Sequence, residues 1–273
     1  MKALTDAAFW DAQCWSAQRP MRLRWLYRDQ DYESVQWLAR AAGGATARII
    51  ELGGGGSRLL PYVARKFGNP AVGSDFSLRG CHLLKENFRL QGVRGDVVCE
   101  DFLHSSLADG AFDVVYSAGV IEHFEDLQRV LAAHLRLVKP GGRLLVTVPN
   151  LQGVQGKIHR RYAPRLWSRH VVFGPADLVR IFQQLGLEGV RSGYLGSFFL
   201  HVGRNQQWSG TYGGPAWQRA SVYWLLRSAS AGASLLFRLM PWRPHSRAFS
   251  PAFFALGIKP SSEAQLATEG DKR

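Results

Sequence analysis

Ile49-Ile50-Glu51-Leu52-Gly53-Gly54-Gly55-Gly56 joins a short apolar run to a block of glycines, and a second apolar run ends on Asp75 in Val72-Gly73-Ser74-Asp75. A turn made of glycine lets a ligand approach the main chain without meeting side chains, so backbone amides can touch it directly. A carboxylate at the tip of the next strand can accept both hydroxyls of a ribose. The pairing therefore points to a nucleotide-like cofactor, and the spacing narrows which one. A dinucleotide fingerprint counted from Gly53 and Gly55 puts its third glycine on Arg58, and counted from Gly54 and Gly56 puts it on Leu59. A triphosphate loop needs Gly-Lys-Ser/Thr after the glycines, and none follows. Glu51 stands two places before the first glycine, where a carboxylate repels pyrophosphate and attracts an ammonium. A cofactor with a cationic amino acid tail suits that position.

Working outward, the apolar runs alternate with helical spacing. Strands are expected over 47–52, 71–75, 95–100, 112–117 and 143–148, with helices over 58–67, 78–90 and 125–138. Leu127, Val130, Leu131, Leu135 and Val138 recur on one face of the last of these. Pro61 is tolerated in the first turn of its helix and Gly68 marks its end. Alternation of this kind implies an α/β fold with a doubly wound, mostly parallel sheet, whose ligands bind at the carboxyl ends of the strands. Beyond Pro149 the pattern loosens, but a helix over 177–185, a strand over 188–194 and a last strand over 252–258 can be read. That last run is expected to close the sheet as an antiparallel edge strand.

The ordered motifs resemble the class I S-adenosylmethionine-dependent methyltransferases over most of residues 45–195. The likeness rests on the glycine block, Asp75, Glu100-Asp101-Phe102, and Phe112-Asp113-Val114-Val115-Tyr116-Ser117 leading into Gly119-Val120-Ile121-Glu122-His123-Phe124. Lys139-Pro140-Gly141-Gly142-Arg143-Leu144 follows. One departure is visible: Ser57 stands at the family's third glycine, where a serine can cap the next helix. The resemblance implies a Rossmann-like methyltransferase fold with S-adenosyl-L-methionine as cofactor. By resemblance, Glu51 and the backbone of Gly53, Gly54 and Gly55 hold the methionine part and Asp75 the ribose hydroxyls. Phe76 covers one face of the adenine, and Asp101 with Phe102 takes its amino group and edge. Ser117 and Val120 line the methyl-bearing side. For Phe76 and Phe102, core packing remains an equal reading.

His123 is the candidate catalytic base, because imidazole can take a proton as the methyl arrives. A helix-start role that orients the loop competes with it. Glu122 is a partner for His123 or, as the resemblance to some quinone-pathway relatives implies, a member of a metal site; no metal is expected. His159, His170 and His201 are alternatives in the variable half. Tyr62-Val63-Ala64-Arg65-Lys66 mimics a dehydrogenase pair, but it sits in the helix after the glycine loop and is read as coincidence.

The organisation expected is an N-terminal helical cap over 1–44 containing Trp10, Trp15, Trp25 and Trp37, the cofactor-binding core over 45–195, a basic, aromatic helical insertion over 196–250 that forms a substrate lid or faces a membrane, the closing edge strand over 251–260, and a disordered tail over 261–273. Charge separates these regions. Residues 1–150 hold 18 Lys and Arg against 16 Asp and Glu, residues 151–250 hold 13 against 2, and residues 251–273 hold 3 against 3. The excess coincides with Trp167, Trp208, Trp217, Trp224 and Trp242. Residues 216–240 are too interrupted for a membrane span but suit a helix lying at an anionic membrane surface; packing on the domain or on a partner copy is the competing reading. The early charges Asp6, Asp11, Arg19, Arg22, Arg24 and Arg28 argue against a signal peptide, and three scattered cysteines against a disulfide framework, so a cytoplasmic enzyme is expected, peripheral at the inner face of the membrane if the helix docks there.

The strand-four exit, Tyr116-Ser117-Ala118-Gly119, lacks the motif of base-methylating enzymes, which shifts the expectation to a small-molecule, glycan or lipid-linked acceptor and O-methylation. An RNA-modifying enzyme and a non-catalytic cofactor-binding scaffold are the alternatives carried.

Overall fold

The computed structural model describes residues 3–12, 20–23, 29–200, 215–238 and 244–261. Trp15, Trp25, Trp208, Trp242, His201 and the tail beyond residue 261 lie outside them. Seven strands form one sheet in the order β3-β2-β1-β4-β5-β7-β6, with β1 Ile49–Leu52, β2 Ala71–Asp75, β3 Asp96–Cys99, β4 Phe112–Ala118, β5 Val138–Pro149, β6 Glu188–Leu195 and β7 Ala252–Ile258. Strands β1 to β5 pair in parallel, and β7 is antiparallel to both β5 and β6.

Alternation along each strand sends neighbouring residues to opposite faces. Ile49, Val114, Tyr116, Leu145 and Phe254 pack with Val35 and Leu38 of α2 (Asp29–Ala42), with Leu60 and Val63 of α3 (Leu59–Phe67), and with Leu84 and Phe88 of α4 (Leu78–Gln91). Ile50, Leu52, Val115, Val146 and Phe253 pack on the other face with Val130 and Leu131 of α5 (Leu127–Leu137) and with Leu178 and Phe182 of α8 (Pro175–Gln184). A sheet covered on both sides reads as continuous apolar runs; all four residues of β1 are buried, Glu51 among them.

The last strand departs from expectation in one respect. Strand β7 runs antiparallel, but it fills the position between β5 and β6 and leaves β6 at the edge. Its sequence explains the exchange, since five consecutive residues from Phe253 to Gly257 are buried whereas β6 carries exposed Glu188, Gly189 and Arg191. Two further helices occupy ground where the sequence pattern loosens, α6 (Val154–Tyr162) and α7 (Pro164–Trp167), and the insertion between β6 and β7 carries α9 (Ala216–Arg238). No described helix is long and apolar enough to cross a membrane.

Helix α6 is seated by Gly156, where an added Cβ would lie 1.8 Å from the Leu151 carbonyl oxygen. Backbone cannot yield there as a side chain could, so Gly156→Ala is expected to cost about 1–3 kcal/mol, read as a lowered midpoint of thermal unfolding. An unchanged midpoint would show that α6 is free to shift.

Candidate functional site

The strand order reverses between β1 and β4, and a cleft of about 1040 Å³ opens at the carboxyl ends of these strands. Glu51, Gly53, Gly55, Asp75, Phe76, Phe102, Val120 and His123 all line it. Gly54, Asp101 and Ser117 do not. Ser117 is buried and donates its hydroxyl to His134 Nε2 at 3.1 Å, on the α5 side of the sheet. Asp101 is exposed, accepts from the Leu103 amide at 3.0 Å and pairs with His104 at 3.1 Å, so it caps the short turn that aims Phe102 inward.

The glycine loop acts by shape more than by amide donation. The Gly54 amide donates to the Ser74 carbonyl at 3.0 Å and the Gly55 amide to Asp75 Oδ2 at 2.7 Å, so both are already spent inside the protein. Close approach is what demands glycine. Gly53 has φ of +66°, a left-handed conformation, and its Cβ would sit 2.4 Å from Val120; a Cβ on Gly55 would sit 2.6 Å from Asp75 Oδ2. Ser57 gives its hydroxyl to Glu51 Oε2 at 2.6 Å and accepts from the Leu60 amide only at 3.4 Å. Its main partner is thus the acid and not the helix end.

Two acids flank this loop. Glu51 is buried, and desolvation, opposed by the Ser57 hydrogen bond and helped by the negative charge of Asp75, pushes its carboxyl up to about 7. Asp75 is also raised, chiefly by burial, although the Ser77 and Gly55 amides pull against that. A carboxylate held this reluctantly as an anion gains most from a cation placed beside it. The loop, the two acids and the flat walls of Phe76 and Phe102 therefore fit a cofactor with an ammonium at one end and a ribose in the middle.

The same cleft also holds an acid and histidine cluster. Glu122 and His123 sit in the short turn Ile121–His123 after β4, and His170 follows α7. One ligand atom from each of Glu122, His123 and His170 lies within 4.8 Å of the others. His123 Nδ1–H donates to the Arg169 carbonyl at 2.9 Å and His170 Nδ1–H to the Leu166 carbonyl at 2.6 Å, which leaves Nε2 as the acceptor nitrogen of each neutral ring. Glu122 is 1% exposed, its Oε1 lies 3.9 Å from His123 Nε2, and its Oε2 has no hydrogen-bond partner among the described residues. Burial drives these groups apart in proton affinity: Glu122 is pushed up to about 8, while His123 is pulled down to about 3 by burial and then by His170. His123 is accordingly a much weaker base than the sequence expectation supposes, because its cation would be stranded away from water. Among these groups the carboxylate of Glu122 is the stronger proton acceptor.

The walls come partly from the N-terminal segment and from α6. Leu4 N donates to the His123 carbonyl at 2.8 Å, and Trp10 of α1 (Ala7–Ala12) packs its ring edge-on to His123 at 5.3 Å, so the N-terminal segment covers this part of the cleft. Gln155 and His159 of α6 reach in as a pair, with the amide donating to His159 Nε2 at 2.6 Å. Their spacing of four residues puts them on one helix face, a signal available in the sequence once α6 is seen as a helix. Tyr116 and Thr147, bonded to each other at 3.2 Å, line the cleft near Glu51, and desolvation raises the phenol.

Residues 50–146 match the methyltransferase domain family. The chain is 31% identical over 121 residues to the ubiquinone biosynthesis O-methyltransferase of Escherichia coli O157:H7, covering 44% of this chain and 50% of that protein. It is 31% identical over 139 residues to the demethylmenaquinone methyltransferase of Thermus thermophilus, covering 48% of this chain and 63% of that one. The chain thus spans between half and two thirds of the length of these curated relatives. Among solved structures, a methyltransferase-like protein from Bacillus halodurans superposes with a TM-score of 0.56 at 15% identity, over 84% of this chain and all of that one, a likeness of fold. The cleft lies at the β1–β4 reversal of a Rossmann-like α/β domain. Residues 50–146 thus carry a methyltransferase domain, on a fold that the chain shares with solved S-adenosylmethionine-dependent methyltransferases such as that of Archaeoglobus fulgidus.

Proposed function

We propose that this protein transfers a methyl group from S-adenosyl-L-methionine to a hydroxyl of a small, lipophilic, quinol-like acceptor. The observation that carries the reading is that one cleft is lined by two chemically distinct sets of groups. Glu51 and Asp75 offer anions to an ammonium and a ribose, and Glu122, His123 and His170 offer a buried proton acceptor in the same cavity. The relatives' names support an acceptor of the quinone type, and the aromatic lining of Trp10, Phe102 and Phe124 gives it an apolar seat.

The cofactor supplies an electrophilic methyl on sulfur. Glu51 and Asp75 fix its position, while Val120 and the Gly53 turn set how closely it approaches β4. The cap of Trp10 excludes water, which such a displacement requires. Glu122, steered by His123, takes the proton from the acceptor hydroxyl as the new carbon–oxygen bond forms and the sulfur keeps the electrons of the bond that breaks. Methyl transfer from labelled cofactor to a panel of catechols and hydroquinones tests this; transfer to none of them, with cofactor still bound, overturns the acceptor assignment.

Binding of the cofactor carries its own pH signature. A folded Glu51 at about 7 is largely protonated in acid, and the ammonium selects the ionised form, so binding expels a proton below that pH. Affinity is expected to rise by up to roughly tenfold per pH unit as pH climbs toward 7, then to level off. Glu51→Gln should weaken binding and flatten this slope. Calorimetric titrations across pH 5 to 8 check it; a slope that survives in the variant assigns the proton to another group.

A further inference from the structure

Helix α9 presents apolar residues on two opposite faces. Val222, Tyr223 and Leu226 pack against Ala163 and Leu166 of the α6–α7 segment. Trp217, Trp224, Leu225, Leu235 and Leu236 face solvent, with Trp217 and Leu225 each 70% exposed. At helical spacing, positions 217, 224 and 235 fall on one line and 225 and 236 on a neighbouring line, so the outward residues form a stripe and not scattered contacts. A single exposed leucine needs no explanation, but two tryptophans and three leucines on the outward side of one helix, in one group near each end, do.

The charge around the stripe selects its partner. Helix α9 contains Arg219, Arg227 and Arg238 and no acid. The helices it packs on expose Lys157, Arg160, Arg161 and Arg165. A twofold dimer across the stripe would bring the same cations of two copies together. An RNA would satisfy the cations and leave the leucines wet. An anionic bilayer satisfies both at once: tryptophan and leucine enter the headgroup and acyl boundary while the basic side chains meet lipid phosphates. We propose that the outward face of α9, with the basic surface of α6 and α7, docks this protein on an anionic membrane. The position is functional as well as adhesive, because α6 and α7 also supply His159, Leu166 and Gln155 to the cleft wall. Docking there sets the cavity next to the phase in which a lipophilic acceptor is dissolved, and this part of the argument rests on the acceptor reading above.

The full chain is tested by co-sedimentation with vesicles of phosphatidylcholine alone and of phosphatidylcholine mixed with phosphatidylglycerol. The expected result is pelleting with the mixed vesicles only, weakened by salt. Trp224→Glu combined with Leu225→Glu should bind them at least about tenfold more weakly. Both side chains are solvent-facing, so thermal midpoint and affinity for S-adenosylhomocysteine should be unchanged. Wild-type protein that stays in the supernatant, or a double variant that pellets like wild type, overturns the proposal. A wild-type dimer that the double variant converts to monomer assigns the stripe to a second copy instead and overturns it too. Because cofactor affinity is measured separately, failure to dock and failure of the methyltransferase reading give different results.

Discussion

Asp75→Ala is expected to weaken binding of S-adenosylmethionine and of its demethylated product by about 2–4 kcal/mol, roughly 30- to 700-fold. Two losses add. The ribose hydroxyls lose a charged acceptor, worth about 1.5–3 kcal/mol per hydrogen bond to a charged group. The loop loses its brace as well: Asp75 Oδ2 accepts the Gly55 amide and Oδ1 the Ser77 amide, both at 2.7 Å, and those donors would be left without their partner. Asp75→Asn should fall between the two, because one amide oxygen can replace one carboxylate oxygen. Calorimetric titration measures all three proteins, with thermal unfolding run alongside to separate local slackening from loss of fold. An alanine variant that binds within about threefold of wild type places the ribose elsewhere and removes the basis for assigning Phe76 to the adenine.

How far the sequence foretells this site depends on whether the signal is local. Glu51, the glycines and Asp75 lie at strand tips whose position follows from apolar runs and a sharp turn, so the ends of β1 and β2 were legible residue by residue. Phe102 and Asp101 are adjacent, and the sequence reading sent both to the cofactor. Only the phenylalanine lines the cleft, because the aspartate is consumed in capping the turn that carries it. Ser117 misleads for a related reason: strand alternation turns its hydroxyl to His134 of α5, a partner seventeen residues away that no period reveals. The placement of β7 between β5 and β6 is likewise non-local, decided by which strand can be buried on both faces. Helices α6 and α7 escaped because α6 is rich in polar and basic residues and its apolar contacts are made with distant segments. Consequently Gln155 had no place until the chain was folded, and His159, carried only as an alternative to His123, had no partner. The basic and aromatic character of residues 216–238 was readable, whereas the fact that its tryptophans point outward depends on which side meets Leu166.

The same distinction governs the catalytic cluster, where a histidine draws attention in the sequence but burial shifts the work to its neighbour. Glu122→Gln is expected to lower kcat by about 10²- to 10³-fold with cofactor affinity nearly unchanged. Wild-type kcat should rise with pH and level off above about 8, where the buried carboxyl has ionised and can accept the acceptor's proton. The glutamine variant should show no such rise. His123→Ala should slow turnover by roughly tenfold or more through loss of the ring that steers Glu122, yet keep the rising profile, since an imidazole held at about 3 is not the group that titrates. Stability offers a second readout that needs no acceptor. Because Glu122 is raised from 4.5 in the unfolded chain to about 8 in the folded one, the folded state holds a proton that the unfolded state releases. Its burial therefore costs nothing below pH 4.5, costs progressively more as pH rises, and costs most above 8. Glu122→Gln removes that cost, so the variant should be more stable than wild type at pH 9 and should lose the advantage at pH 5. A glutamine variant whose activity and unfolding midpoint both track wild type across this range would show that Glu122 neither titrates in the cleft nor handles the proton, and His170, the other histidine of the cluster, would inherit the role.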